Sequence, residues 1–172
     1  MSAAGREPVV RVVDQRGRAK AFRPLPAAER AAALARGLAA YASGDFYLAH
    51  EELEPAWMGA DDPGERELLA GLIKLAAGFV HAARGNAAGV RTNLAGASQR
   101  LAAATALGAD LGLDVPALRT SVESRLQCLA ALPIGPLGPV PDPAHDVAGP
   151  PGRARRPPLA LDPPVIARRT TT

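Results

Sequence analysis

The chain has 172 residues, 48% of them hydrophobic but only 3% aromatic, so it can bury one core and must build it from Ala and Leu. Its formal net charge of +3 is uneven: residues 1–26 carry six basic and two acidic groups, residues 27–132 nine and twelve, and residues 133–172 five and three. An acidic middle between basic ends argues against nucleic acid binding through the core, and no apolar stretch is long enough to span a membrane.

Residues 1–26 read as an extended basic arm. The run Val9-Val-Arg-Val-Val13 is β-like, but no pairing partner is evident, so it is expected to lie alone. The first helix is predicted from about Ala27, after Pro26, to Ala42, with Gly44 closing it. Asp45 is the N-cap of the second, which runs to about Met58. The third has the strongest start signal: Asp62 as cap, Pro63 at the first helical position and Glu65 at capping-box spacing. It continues to Arg84 and stops at Gly85. Asn86 caps a fourth helix, ending near Gly108, and Asp114 caps a fifth, ending near Leu132 before Pro133.

The links Gly44-Asp45 and Gly85-Asn86 both pair a residue that tolerates a left-handed backbone with a capping side chain, which predicts two antiparallel helical hairpins. The expected architecture is all-α: a compact bundle of about five helices over residues 27–132, with the arm before it. Residues 133–172 hold eleven of the seventeen prolines and are expected to be a disordered Pro/Arg-rich tail. Cys128 is the only cysteine, which fits a reducing compartment, and its neighbours Leu126 and Leu129 predict a buried thiol. With no apolar N-terminal segment either, a cytoplasmic protein is expected.

Helical geometry singles out one segment. At roughly 100° per residue, His50 lies at the centre of an arc that holds Phe46, Leu53, Glu54 and Trp57. His50 and Glu54, four apart, are neighbours one turn away, while Glu51 falls on the flank and Glu52 toward solvent. On the third helix Leu69, Leu72, Ile73, Ala76, Phe79 and Val80 form an apolar face, with His81 at its edge beside small residues. Ala77 and Gly78 would admit a close neighbour, so His81 is expected to meet the His50/Glu54 face.

The elements Phe46-x-x-Ala-His-Glu-x-x-Glu-x-x-Trp57, Gly71-Leu-Ile-Lys-Leu-Ala-Ala77, His81, Arg84-Gly-Asn86 and Gly89 resemble the prokaryotic family known as domain of unknown function 309, over about residues 34–105. The resemblance implies an all-α fold with the His-Glu-Trp cluster inside, and no established activity. The sequence departs from the family at Pro55, which removes a backbone hydrogen bond and predicts a kink or an early end to the second helix.

Three readings of the cluster are open. His50 and Glu54 can form a buried hydrogen-bonded pair that fixes helix register, with Trp57 as core anchor and Glu51, Trp57 and His81 as binding residues. They can act as an acid/base pair in which Glu54 orients His50. Or His50, Glu54 or Glu51, and His81 can ligate a divalent transition metal, two histidines and a carboxylate being a usable set with open positions. The spacing is not the H-E-x-x-H zinc motif. The leading expectation is a small helical domain with a structural, binding or assembly role, for which the Ala-rich helices suit a homo-oligomer. The alternative is a metal-dependent, hydrolase-like enzyme using His50, Glu54 and His81.

Overall fold

Capping chemistry sets the helix boundaries. A computed structural model of the chain describes residues 24–131 and 157–169, together with the backbone pairing of two short segments near the N-terminus. Its helices are α1 (Ala27–Ala42), α2 (Phe46–Gly59), α3 (Pro63–Ala83), α4 (Ala87–Ala106) and α5 (Val115–Ala131). The four expected N-caps are in place: Asp45 accepts from the Leu48 amide at 3.0 Å, Asp62 from Glu65 at 2.7 Å, Asn86 from Gly89 at 3.0 Å and Asp114 from Ala117 at 3.0 Å. The Glu65 carboxylate takes a different partner and accepts from Arg30 of α1 at 2.8 and 3.2 Å.

Gly44 and Gly85 take φ of +84° and +64°. Each closes its helix with a paired set of bonds: Asp45 N–H to Ala40 and Gly44 N–H to Tyr41, then Asn86 N–H to His81 and Gly85 N–H to Ala82, all 3.0 Å. The chain thereby reverses in two residues, and each helix packs on the next, α1 on α2 through α4 on α5.

Close approach is achieved by seating leucines where a neighbouring helix has glycine. A Cβ on Gly37 of α1 would lie 2.6 Å from the Leu53 side chain of α2. On α3, a Cβ at Gly71 would come within 3.1 Å of Leu101, and one at Gly78 within 3.0 Å of Leu94, both on α4. Around these seats Leu68, Leu69, Leu72, Leu75, Val90, Leu118, Val122 and Leu129 are buried with a set of alanines. The α2 helix runs through Pro55 to Gly59, so of the two outcomes foreseen for that proline the early end does not occur.

Three expectations are corrected. Val12–Val13 (β1) does have a partner: it pairs antiparallel with Ala19–Lys20 (β2). Its partner Ala19–Lys20 is not β-like in sequence, so inspection of one β-like run does not reveal it. Cys128 is exposed, not buried. The inward side of α5 is set by Leu118, Val122 and Leu129, and Cys128 falls off that side.

The third concerns the end of the chain. Residues 157–169 run extended against the helices, where disorder was expected of the whole Pro-rich segment; residues 133–156 lie outside those described. Leu159, Leu161 and Ile166 pack on the core and Pro164 is buried. The Leu159 amide donates to Ala82 at 2.9 Å, the Asp114 amide to Ala167 at 3.0 Å and the Arg169 amide to Gly112 at 3.0 Å, while Leu113 and Arg168 form an antiparallel bridge. Composition averaged over forty residues hides this short apolar stretch, and the fixed φ of proline lowers the entropy lost in ordering it.

The seat at Gly37 gives a sign test. Ala normally stabilises a helix interior relative to Gly by roughly 0.5–1 kcal/mol. Gly37→Ala should instead destabilise by about 1–3 kcal/mol, because Leu53 is displaced. Urea unfolding followed by circular dichroism measures this, and an unchanged or raised midpoint would contradict the packing.

Candidate functional site

The inward direction of α2 is set by Ala49, Leu53 and Ala56, all buried. Phe46 starts that face, its ring 5.2 Å from Tyr41 and 5.3 Å from Phe79. The two alanines turn the buried direction roughly 80° away from His50 compared with an arc drawn through the large side chains. The His50/Glu54/Trp57 group therefore lies on the edge of the core. His50 retains 32% side-chain exposure and Glu51 50%, while Glu54 and Trp57 are half-buried, Trp57 against the core. The expectation of a buried polar cluster is corrected to this extent, and no charged residue among those described is buried.

On that edge three ligand-type atoms converge. His50 Nδ1 is 3.4 Å from Glu51 Oε1, and His50, Glu51 and Glu54 each offer one atom within 4.8 Å of the others. Glu51, placed on the flank by the helical wheel, is a full member. Glu52 points elsewhere and is held by Arg36 of α1, whose Nε donates to it at 2.6 Å, so it is not simply solvated as expected.

His81 is not part of this group. Phe46 meets Phe79, which aligns the start of α2 with the last turns of α3. His50 lies four residues past Phe46, and His81 two residues beyond Phe79 in the opposite direction, a separation of about 9 Å along the helices. The side chain of His81 is committed to the α3–α4 turn, with its Nδ1 3.1 Å from the Asn86 amide nitrogen. Because Asn86 Oδ1 accepts from the Gly89 N–H, its NH2 group faces the ring and donates, which makes Nδ1 an acceptor and leaves the proton of neutral His81 on Nε2. Gly89 leaves the space, since a Cβ there would sit 2.5 Å from the imidazole. Burial, assisted by the nearby Arg84 charge, holds the His81 pKa below its usual 6.5.

Helix spacing gave no sign of one further feature. Tyr41 is buried between Phe46 and Phe79, and its hydroxyl has no hydrogen-bond partner among the described residues. Desolvation raises its pKa above the usual tyrosine range, against a smaller opposing effect of Arg125. The signal available was the density of aromatic residues at 41 and 46 in a chain with few rings.

The fold and this edge of α2 define an all-helical protein with a polar, partly solvated group beside its core. Residues 34–93 match the family described as Domain of unknown function (DUF309), which bears out the resemblance over that span. The span contains His50, Glu51, Glu54, Trp57, His81 and the Arg84-Gly-Asn86 turn. No curated protein and no solved structure matches the chain. No helix among the described residues is long and apolar enough to cross a membrane.

The His81 geometry makes stability depend on pH in a defined direction. A histidine with a folded pKa below 6.5 binds fewer protons folded than unfolded, so its contribution is complete above 6.5 and is lost as pH falls from there toward the folded value. Wild type should lose stability on acidification through this window more steeply than His81→Gln. Denaturant titrations at pH 7.5 and 5.5 give the comparison, and parallel losses would exclude a buried neutral His81.

Proposed function

We propose that the α2 edge is a binding site for a divalent transition-metal ion, held by His50, Glu51 and Glu54, and that the domain serves as a binding or assembly module through it. The observation that carries this reading is the convergence of one imidazole and two carboxylates within 4.8 Å on a partly exposed surface. Imidazole and carboxylate together suit Zn, Mn, Fe or Ni, and two carboxylates offset the charge of a dication. Three protein ligands drawn from one helix leave coordination positions free. Water, a small ligand or a side chain of a second molecule would complete the shell, which is the chemical basis for binding or assembly. The partial exposure of His50 and Glu51 weighs against a purely structural pair sealed in the core. The His81 arm of the metal-enzyme alternative is dropped, because that ring is engaged by Asn86.

Titration of metal-free protein with Zn and Mn salts by calorimetry should give about one equivalent bound. His50→Ala should weaken binding by more than about tenfold, while His81→Gln leaves it unchanged. Absence of binding for both metals, or equal affinity in His50→Ala, would overturn the reading.

A further inference from the structure

At the opposite end of α2 from Phe46, the starts of α1 and α3, the α4–α5 loop and the C-terminal segment border an open cavity of about 400 Å³. Its floor is apolar, from Leu34, Leu69 and Leu111 with Ala31. Two guanidinium groups reach it, and they differ. Arg30 is neutralised: Glu65 accepts from it twice, the Leu25 carbonyl accepts from Nη1 at 2.6 Å, and Asp61 lies 3.7 Å away. Arg168 makes no ion pair or hydrogen bond through its side chain among the described residues, and its Nη1 is 3.7 Å from the place a Cβ on Gly112 would occupy.

The backbone around Arg168 is nevertheless clamped. Arg168 bridges Leu113, the Ala167 carbonyl accepts from Asp114 at 3.0 Å and the Arg169 amide donates to Gly112 at 3.0 Å. The Arg169 side chain pairs with Asp110, whose Oδ1 accepts from Gly112 N–H at 2.7 Å. In the same loop Leu111, which lines the cavity, has φ of +47°, the one positive value at a non-glycine among the described residues. Such a conformation is strained for a leucine and is retained where the surroundings hold it. Glu65 and Asp110 are engaged by Arg30 and Arg169, and a clamped segment presents a guanidinium with no ion pair among the described residues beside an apolar floor.

We propose that this cavity binds a small organic monocarboxylate with a short aliphatic chain. The carboxylate would pair with Arg168, whose planar fork matches two oxygens, and the chain would lie on Leu34, Leu69 and Leu111. With Arg30 neutralised by Glu65, Arg168 is the one lining cation without an ion pair among the described residues, and it matches a single negative charge. The volume falls within the range of small-molecule sites.

Octanoate is the probe, titrated into the full chain by calorimetry, with octan-1-ol and inorganic phosphate as comparisons. Octanoate should bind more tightly than octan-1-ol, and phosphate should not compete. Arg168→Gln, at an exposed position, should weaken octanoate at least about tenfold while leaving octan-1-ol unaffected. Ala31→Phe, which fills the cavity from an exposed helix position, should weaken both. No octanoate binding, equal affinity for octanoate and octan-1-ol, or unchanged affinity in Arg168→Gln would each overturn the proposal.

Discussion

The fold depends on leucine side chains occupying places vacated by glycine. With few aromatic residues, the core cannot be filled by large rings, so its density has to come from backbones drawn together. Leu53 against Gly37 sets the approach of α1 and α2, while Leu94 and Leu101 against Gly78 and Gly71 set that of α3 and α4. Each glycine sacrifices helix propensity to gain contact. The two hairpins thus use one device, and the α2–α3 contact joins them through Phe46 and Phe79.

That device also explains where polar chemistry can sit. Ala49 and Ala56 allow α2 to lie close to its neighbours along one narrow line, and His50, Glu51 and Glu54 are left on its margin. His81 is placed by the same economy of volume, since its ring rests over Gly89 and is held by Asn86. The two histidines that look like members of one site on a helical wheel are held by different partners, His50 beside Glu51 and His81 beside Asn86.

The helix boundaries were legible because they are written in local chemistry. Asp45, Asp62, Asn86 and Asp114 each announce a start, and Gly44 and Gly85 announce stops, with no need of tertiary knowledge. The facing of side chains was less legible. A helical wheel weighted by large residues centres α2 on His50, whereas burial follows the alanines, whose small volume is what permits contact. The pairing of Val12–Val13 and the docking of residues 157–169 depend on partners distant in sequence, and the latter was masked by a composition typical of unstructured segments. The engagement of Glu65 with Arg30 depends likewise on how α1 meets α3.

The segment 157–169 also has a meaning in time. It follows all five helices in the chain, yet its Leu159 amide closes onto Ala82 at the end of α3 and its Arg169 amide onto Gly112 between α4 and α5. During synthesis from the N-terminus, the helical hairpins can assemble first, and these contacts form after α5 has emerged. A nascent or prematurely terminated chain therefore carries the helices while leaving uncovered the apolar surface that Leu159, Leu161 and Ile166 occupy, which marks it chemically as unfinished.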